Sequence, residues 1–191
     1  LIYNYDFYAV SASKSEKGII HNIILEHYLL IKLEIEKDLK KFNIEHFKSV
    51  FLGSLIYKDN IEKNIKILSL LLSLQIDKNG FHKSYNPLEQ AKFLNNLHQI
   101  KSMALFFKLK IPLDLNFQIT NLTSTLIALI HKDHSLPLFN GSNNMFNKEV
   151  WSLINQVKDI IPKKPKNINK GIAIYNDDDK KIIMDIVQPT N

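Results

Sequence analysis

Apolar residues recur with the period of an α-helix along most of this 191-residue chain. An i, i+3/i+4, i+7 spacing gathers apolar side chains into one stripe, which is buried against other helices and fits no strand. From Glu16 to about Lys41 the stripe uses Ile20, Ile23, Ile24, Leu30, Ile31, Leu33 and Ile35. From Ile44 to Tyr57 it uses Phe47, Val50, Phe51 and Leu55, and from Ile61 to Ile76 it runs through Ile65, Leu68, Leu72 and Gln75. Further helices are expected over Pro87–Lys108, Leu113–His131 and Asn147–Ile161. The connections are short, so consecutive helices should lie antiparallel as helical hairpins.

The pattern changes at Pro162. PKKPKNINK reads as a linker over 162–170. Two β-prone runs follow, Ile172–Tyr175 and Lys181–Val187, around a polar turn at Asn176–Asp179. A lone hairpin is marginal in water, so this one is expected to open a β-domain. The acidic run Asp177–Asp179 is read as solvated turn residues. The first residues, LIYNYDFYAVSAS, carry no basic leader and read as the interior of a longer chain. ILSLLLSLQI is too short for a membrane span and fits a buried helix face.

The net charge of +6 comes entirely from lysine, since the chain has no arginine. Base readout in nucleic acid relies on bidentate arginine contacts, so no nucleic-acid partner is expected. An acidic polysaccharide is compatible with the charge. With no cysteine there is no disulfide framework, thiolate metal site or cysteine nucleophile.

Two polar loops interrupt the helical pattern. In NGFHKSYNPLEQ, Asn86 suits an N-cap, Pro87 the first helical position, and Glu89 a capping-box spacing, with Asn79-Gly80 as a turn before them. Helix capping leaves His82, Lys83 and Tyr85 unexplained. In HKDHSLPLFNGSNN, the His131, Asp133, His134 spacing matches no standard zinc motif, so no metal is expected. This second loop reads as a polar tip, packing by Leu136 and Leu138, and a glycine, Gly141, that permits positive φ.

Taken in order, three stretches resemble the heparinase II/III-type polysaccharide lyases. DKNGFHKSYNP, Asp77–Pro87, is similar to that family's loop with an Asp, a Gly, a His and a later Pro. HKDHSLPLFNGS is similar to a family stretch ending Leu-Phe-Asn-Gly, matched at Leu138, Phe139, Asn140 and Gly141. GIAIYNDDDKKIIMDIVQP is similar to the first strands of the family's β-sandwich, with Gly171, Asp185 and Pro189 in place. The resemblance implies a mainly α fold: an incomplete (α/α) toroid of antiparallel helical hairpins over 1–161, then a β-hairpin over 171–191 that begins a β-sandwich. It also implies cleavage of uronic-acid polysaccharide by β-elimination in the full-length form. In that reaction an Asn-type group neutralises the uronate carboxylate, a Tyr or His takes the adjacent proton, and a Tyr protonates the leaving oxygen.

On this basis His82 and Tyr85 are the candidate catalytic residues, and Lys83, Asn140, His131 and His134 the candidate substrate-binding ones, with no cofactor or metal. The family's Asn-His pair falls at Lys41 and Phe42, with Asn43 displaced, and its Tyr and following His fall at Glu89 and Gln90. The resemblance places such a protein in the periplasm or cell envelope. The alternatives are a non-catalytic glycan-binding or scaffold domain, or a helical interaction domain unrelated to sugars.

Overall fold

The computed structural model describes residues 5–41, 43–131, 133, 135–143, 150, 152–153, 155, 171–176 and 180–186. These residues are mainly helical, with one small antiparallel sheet near the C-terminal end. Of the helix expected over Asn147–Ile161, only a few residues are described, and these are helical; the 162–170 linker, the Asp177–Asp179 turn, His134 and Pro189 lie outside the described residues. The chain divides into two compact units, residues 1–64 and 65–191.

The first unit contains α1 (Tyr5–Ala9), α2 (Lys14–Lys37), α3 (Ile44–Tyr57) and the start of α4 (Ile61–Gln75). Helix α2 starts two residues before the apolar stripe suggests. Ser13 accepts from the Glu16 backbone N–H while the Glu16 carboxylate accepts from Ser13 N–H, a complete capping box. Helix α3 keeps the expected boundaries because the Asn43 side chain accepts from the Glu45 and His46 backbone N–H groups. The two helices approach closely at Gly53. A Cβ built there would lie 2.2 Å from a ring carbon of the buried Tyr28. The Tyr28 ring stacks on Tyr57 at 5.4 Å, and its hydroxyl donates to Asp59 at 2.7 Å, alongside Lys32. Burial first, then the Asp59 carboxylate, pushes the Tyr28 phenol well above its ordinary range.

In the second unit, α5 (Pro87–Phe106) and α6 (Leu113–Leu129) pack together. Gln90, near the start of α5, bonds to Leu122 and Thr125, late in α6. A six-residue turn joins their other ends, so the pair is antiparallel, as the short connection implies. Leu94, Leu97 and Ile100 on α5, and Leu115, Ile119, Leu122 and Leu126 on α6, are almost completely buried. Each series repeats at helical spacing.

The strands β1 (Ile172–Asn176) and β2 (Lys181–Asp185) pair antiparallel, with Ile174 opposite Ile183. The hairpin does not stand alone. Ile172 is buried with Phe81 and Leu129, and Ile174, Ile183, Tyr85 and Phe139 pack around them. The Lys181 ammonium donates to the Ile130 carbonyl. Strands that are weak in isolation are thus held by the apolar cluster beneath the loop.

The two helical glycines predict opposite outcomes. Gly18, in α2, has open space where a Cβ would be, so Gly18→Ala should stabilise by up to about 1 kcal/mol through helix propensity. Gly53→Ala gains the same propensity but must displace the Tyr28 ring, and should destabilise by about 1–3 kcal/mol. Urea unfolding of both variants checks the contrast in sign.

Candidate functional site

Three stretches distant in sequence converge in the second unit, beginning with the loop between α4 and α5. Asp77 organises that loop. One carboxylate oxygen accepts from the Asn79 and Phe81 backbone N–H groups at 2.8 and 2.9 Å; the other accepts from the Tyr85 hydroxyl at 3.0 Å. The Asp77 N–H donates to the Phe81 carbonyl, and Gly80 takes positive φ in the turn. Tyr85 also has positive φ, +50°, an unusual conformation for a bulky side chain that the surrounding bonds must enforce.

The second loop closes on the first through two amides. Asn86 Nδ2 donates to the Asn140 carbonyl at 2.8 Å, and Asn140 Nδ2 donates to the Tyr85 carbonyl at 3.2 Å. Asn86 does this while its side-chain oxygen caps α5, accepting from Leu88 and Glu89 N–H. Glu89 completes no capping box: the Asn86 N–H donates to Ser84 Oγ, and the Glu89 carboxylate pairs with Lys92 at 2.9 Å. Gly141 has the expected positive φ, and Leu136 is buried. Leu138 corrects the sequence reading, being 62% exposed while its neighbour Phe139 turns into the apolar cluster. The third stretch arrives at Gly171, where a Cβ would lie 2.7 Å from the Tyr85 ring.

His82 is half-buried beside Phe93, with ring centroids 5.2 Å apart. Its Nδ1 faces both Ser84 Oγ at 2.7 Å and the Ser84 backbone N–H at 3.3 Å. A backbone N–H can only donate, so Nδ1 acts as acceptor and the proton of the neutral ring sits on Nε2. Burial lowers the His82 pKa, against a smaller opposing effect of Glu89. The geometry therefore presents His82 as a neutral N–H donor. Tyr85 is also held in its protonated form: burial, then the bond to Asp77, raises its pKa.

Lys83 is exposed, and its ammonium donates to the Ser73 carbonyl at 3.0 Å in the last turn of α4, where a cation complements the helix dipole. His131 is half-buried, and its N–H donates to the Ser135 carbonyl, while Asp133 accepts from both Ser135 N–H and Oγ. Tyr85 and Asn140 are thus in direct contact, and His82 joins them through Ser84 and Asn86. No hydrogen bond among the described residues links His131 to this group. No cluster of three or more metal-binding side chains occurs among the described residues.

Two residues that hold the loop escape sequence reasoning. Gln90 is buried; its amide donates to Thr125 Oγ1 at 2.6 Å and to the Leu122 carbonyl at 3.1 Å, and its oxygen accepts from His82 N–H at 3.4 Å. Thr125 Oγ1 in turn donates to the Gly80 carbonyl at 2.6 Å. The available signal was polarity on a core stripe: Gln90 shares a face with Leu94 and Leu97, and Thr125 lies between Leu122 and Leu129. A polar group in such a place needs a buried partner. No family model, curated protein or solved structure matches the chain.

The clasp and the histidines make separate predictions. Asn140→Gly keeps the positive φ and deletes one exposed hydrogen bond, so it should lose about 1 kcal/mol. Asn86→Ala loses both the helix cap and the bond to Asn140, and should lose about 2 kcal/mol. Chemical denaturation checks the order. His98, with a buried Nε2 lacking a partner, has its pKa pushed down to about 4 by burial and then by Lys101. A histidine pKa lower in the fold than in the unfolded chain makes the unfolded state bind more protons between the two values. Stability should be full above about pH 6.5 and fall as pH drops toward about 4. Unfolding midpoints across that range, with His98→Leu flattening the slope, check the sign.

Proposed function

We propose that this chain belongs to a heparinase II/III-like protein that handles uronic-acid polysaccharide, with β-elimination as the reaction of the full-length form. The helical hairpins would form part of an (α/α) toroid, and the C-terminal strands would begin its β-sandwich. One observation carries the reading. The three stretches that suggest the resemblance meet at Tyr85, through Asn140 from the second loop and Gly171 from the hairpin. Chance similarity in three separate stretches gives no reason for them to meet. The positive net charge is compatible with an acidic polymer.

In this reading His82 Nε2–H donates to a sugar oxygen, Lys83 attracts the carboxylate, and Asn140 shapes the contact loop. His131 would extend the binding surface, and His134 lies outside the described residues. A second reading, glycan binding without elimination, is favoured by what occupies the family's acid–base positions. Glu89 pairs with Lys92, Gln90 is buried and bonded, and the Tyr85 hydroxyl is already engaged by Asp77. None of these is placed to take a proton from a sugar and return one to a leaving oxygen.

Calorimetry with a uronate oligosaccharide tests the shared claim. Binding should be at least about tenfold tighter than to the carboxyl-reduced oligosaccharide, and His82→Ala should weaken it by about fivefold to tenfold, the value of one hydrogen bond. Equal affinity for both oligosaccharides would overturn the proposal. The same mixture is expected to show no new ultraviolet absorbance from an unsaturated uronate. Its appearance would reject the non-catalytic reading and assign elimination to this chain.

A further inference from the structure

The turn between α5 and α6 carries an apolar surface that the candidate site does not use. Phe106 is 81% exposed, Leu113 88% and Phe117 62%, with Leu105 and Phe107 also exposed. All five lie within thirteen residues at one helix–helix elbow. Phe106 and Phe107 meet edge to face at 5.3 Å. The elbow backbone is well fixed: Phe107 N–H donates to Met103, Lys108 to Leu105 and Leu109 to Ala104, and Lys108 takes a left-handed conformation. It is a hydrogen-bonded turn with exposed apolar side chains, which is costly in water unless a partner covers them.

The charge around it identifies the partner. Lys101, Lys108 and Lys110 flank the apolar side chains, and Asp114 is the only acid from 101 to 117. A second exposed apolar stripe, Ile19, Ile23, Leu30 and Leu33 on α2, has a mixed rim that includes Glu26 and Glu34. Phenylalanine and leucine bring no hydrogen-bonding group that would match a polar ligand. Aromatic and aliphatic side chains ringed by lysines suit the boundary between acyl chains and anionic headgroups. No helix among the described residues is long and apolar enough to cross a membrane, so the contact would be peripheral. We propose that the α5–α6 elbow docks on an anionic lipid surface, with Phe106 and Leu113 entering the interface and Lys108 and Lys110 held at the headgroups.

Co-sedimentation of the full chain with vesicles tests this. Binding is expected to phosphatidylcholine vesicles containing a third phosphatidylglycerol, and at least tenfold weaker binding to pure phosphatidylcholine. Phe106→Ser/Leu113→Ser should abolish binding. Lys108→Gln/Lys110→Gln, which leaves the apolar side chains intact, should weaken it by about twenty-five-fold, roughly fivefold per lysine. Circular dichroism of each variant confirms that it is folded. Failure of the folded wild-type chain to bind anionic vesicles would overturn the proposal. So would binding that the serine variant retains, or concentration-dependent self-association that the serine variant removes, which would assign the elbow to a second copy of the chain.

Discussion

The carboxylate of Asp77 fixes the loop on which the rest of the candidate site depends. It accepts two backbone N–H groups and the Tyr85 hydroxyl, so the chain turns sharply after α4 and brings Phe81 under the loop. Phe81 then forms the apolar floor for Ile172 and Leu129. Tyr85, held in its left-handed conformation, presents its carbonyl to Asn140 and its ring to Gly171. Neutralising one side chain would therefore disturb the loop, its clasp and the seat of the hairpin together. Several partners sharing one acceptor make such a network more than the sum of its pairs.

The same network limits the chemistry. A tyrosine whose hydroxyl donates to a carboxylate is stabilised in its protonated form, which makes it a poor base. A histidine whose Nδ1 accepts from Ser84 N–H carries its proton on Nε2, where it offers a donor and no lone pair. Tyr85 and His82, which look reactive in the sequence, are in the fold committed to fixed positions and protonation states. Lys83 shows the same division of labour, because its ammonium serves the end of α4.

The helices were legible because burial of one stripe repeats every three or four residues. The bounds of α3 follow from its apolar stripe and the start of α5 from Asn86 as a cap, while the Asn43 cap of α3 is seen only in the structure. The start of α2 lies outside the apolar stripe because its signal is the Ser13–Glu16 pair, which precedes that stripe. The exposure of Leu138 is not legible in the sequence, since a loop has no period from which to infer the inward face. The loop's long-range supports were not legible. Asn86 to Asn140, Gln90 to Thr125 and Gly80 to Thr125 join residues far apart in sequence, and no local rule pairs them. The polarity of Gln90 and Thr125 on core stripes signalled that partners exist without naming them. The hairpin itself was read from its β-prone runs, but its support by Phe81 and Leu129 was not, because that contact depends on the path Asp77 imposes.

We propose that the clasped loops form a prearranged face for a uronate sugar. Its most direct test is amide and imidazole NMR of the chain as a uronate oligosaccharide is added. Shifts are expected to concentrate at His82, Lys83 and the 139–141 segment, with the His82 Nε2 proton protected from exchange and its tautomer unchanged. Shifts absent from these residues while others move would place the sugar elsewhere and overturn the proposal.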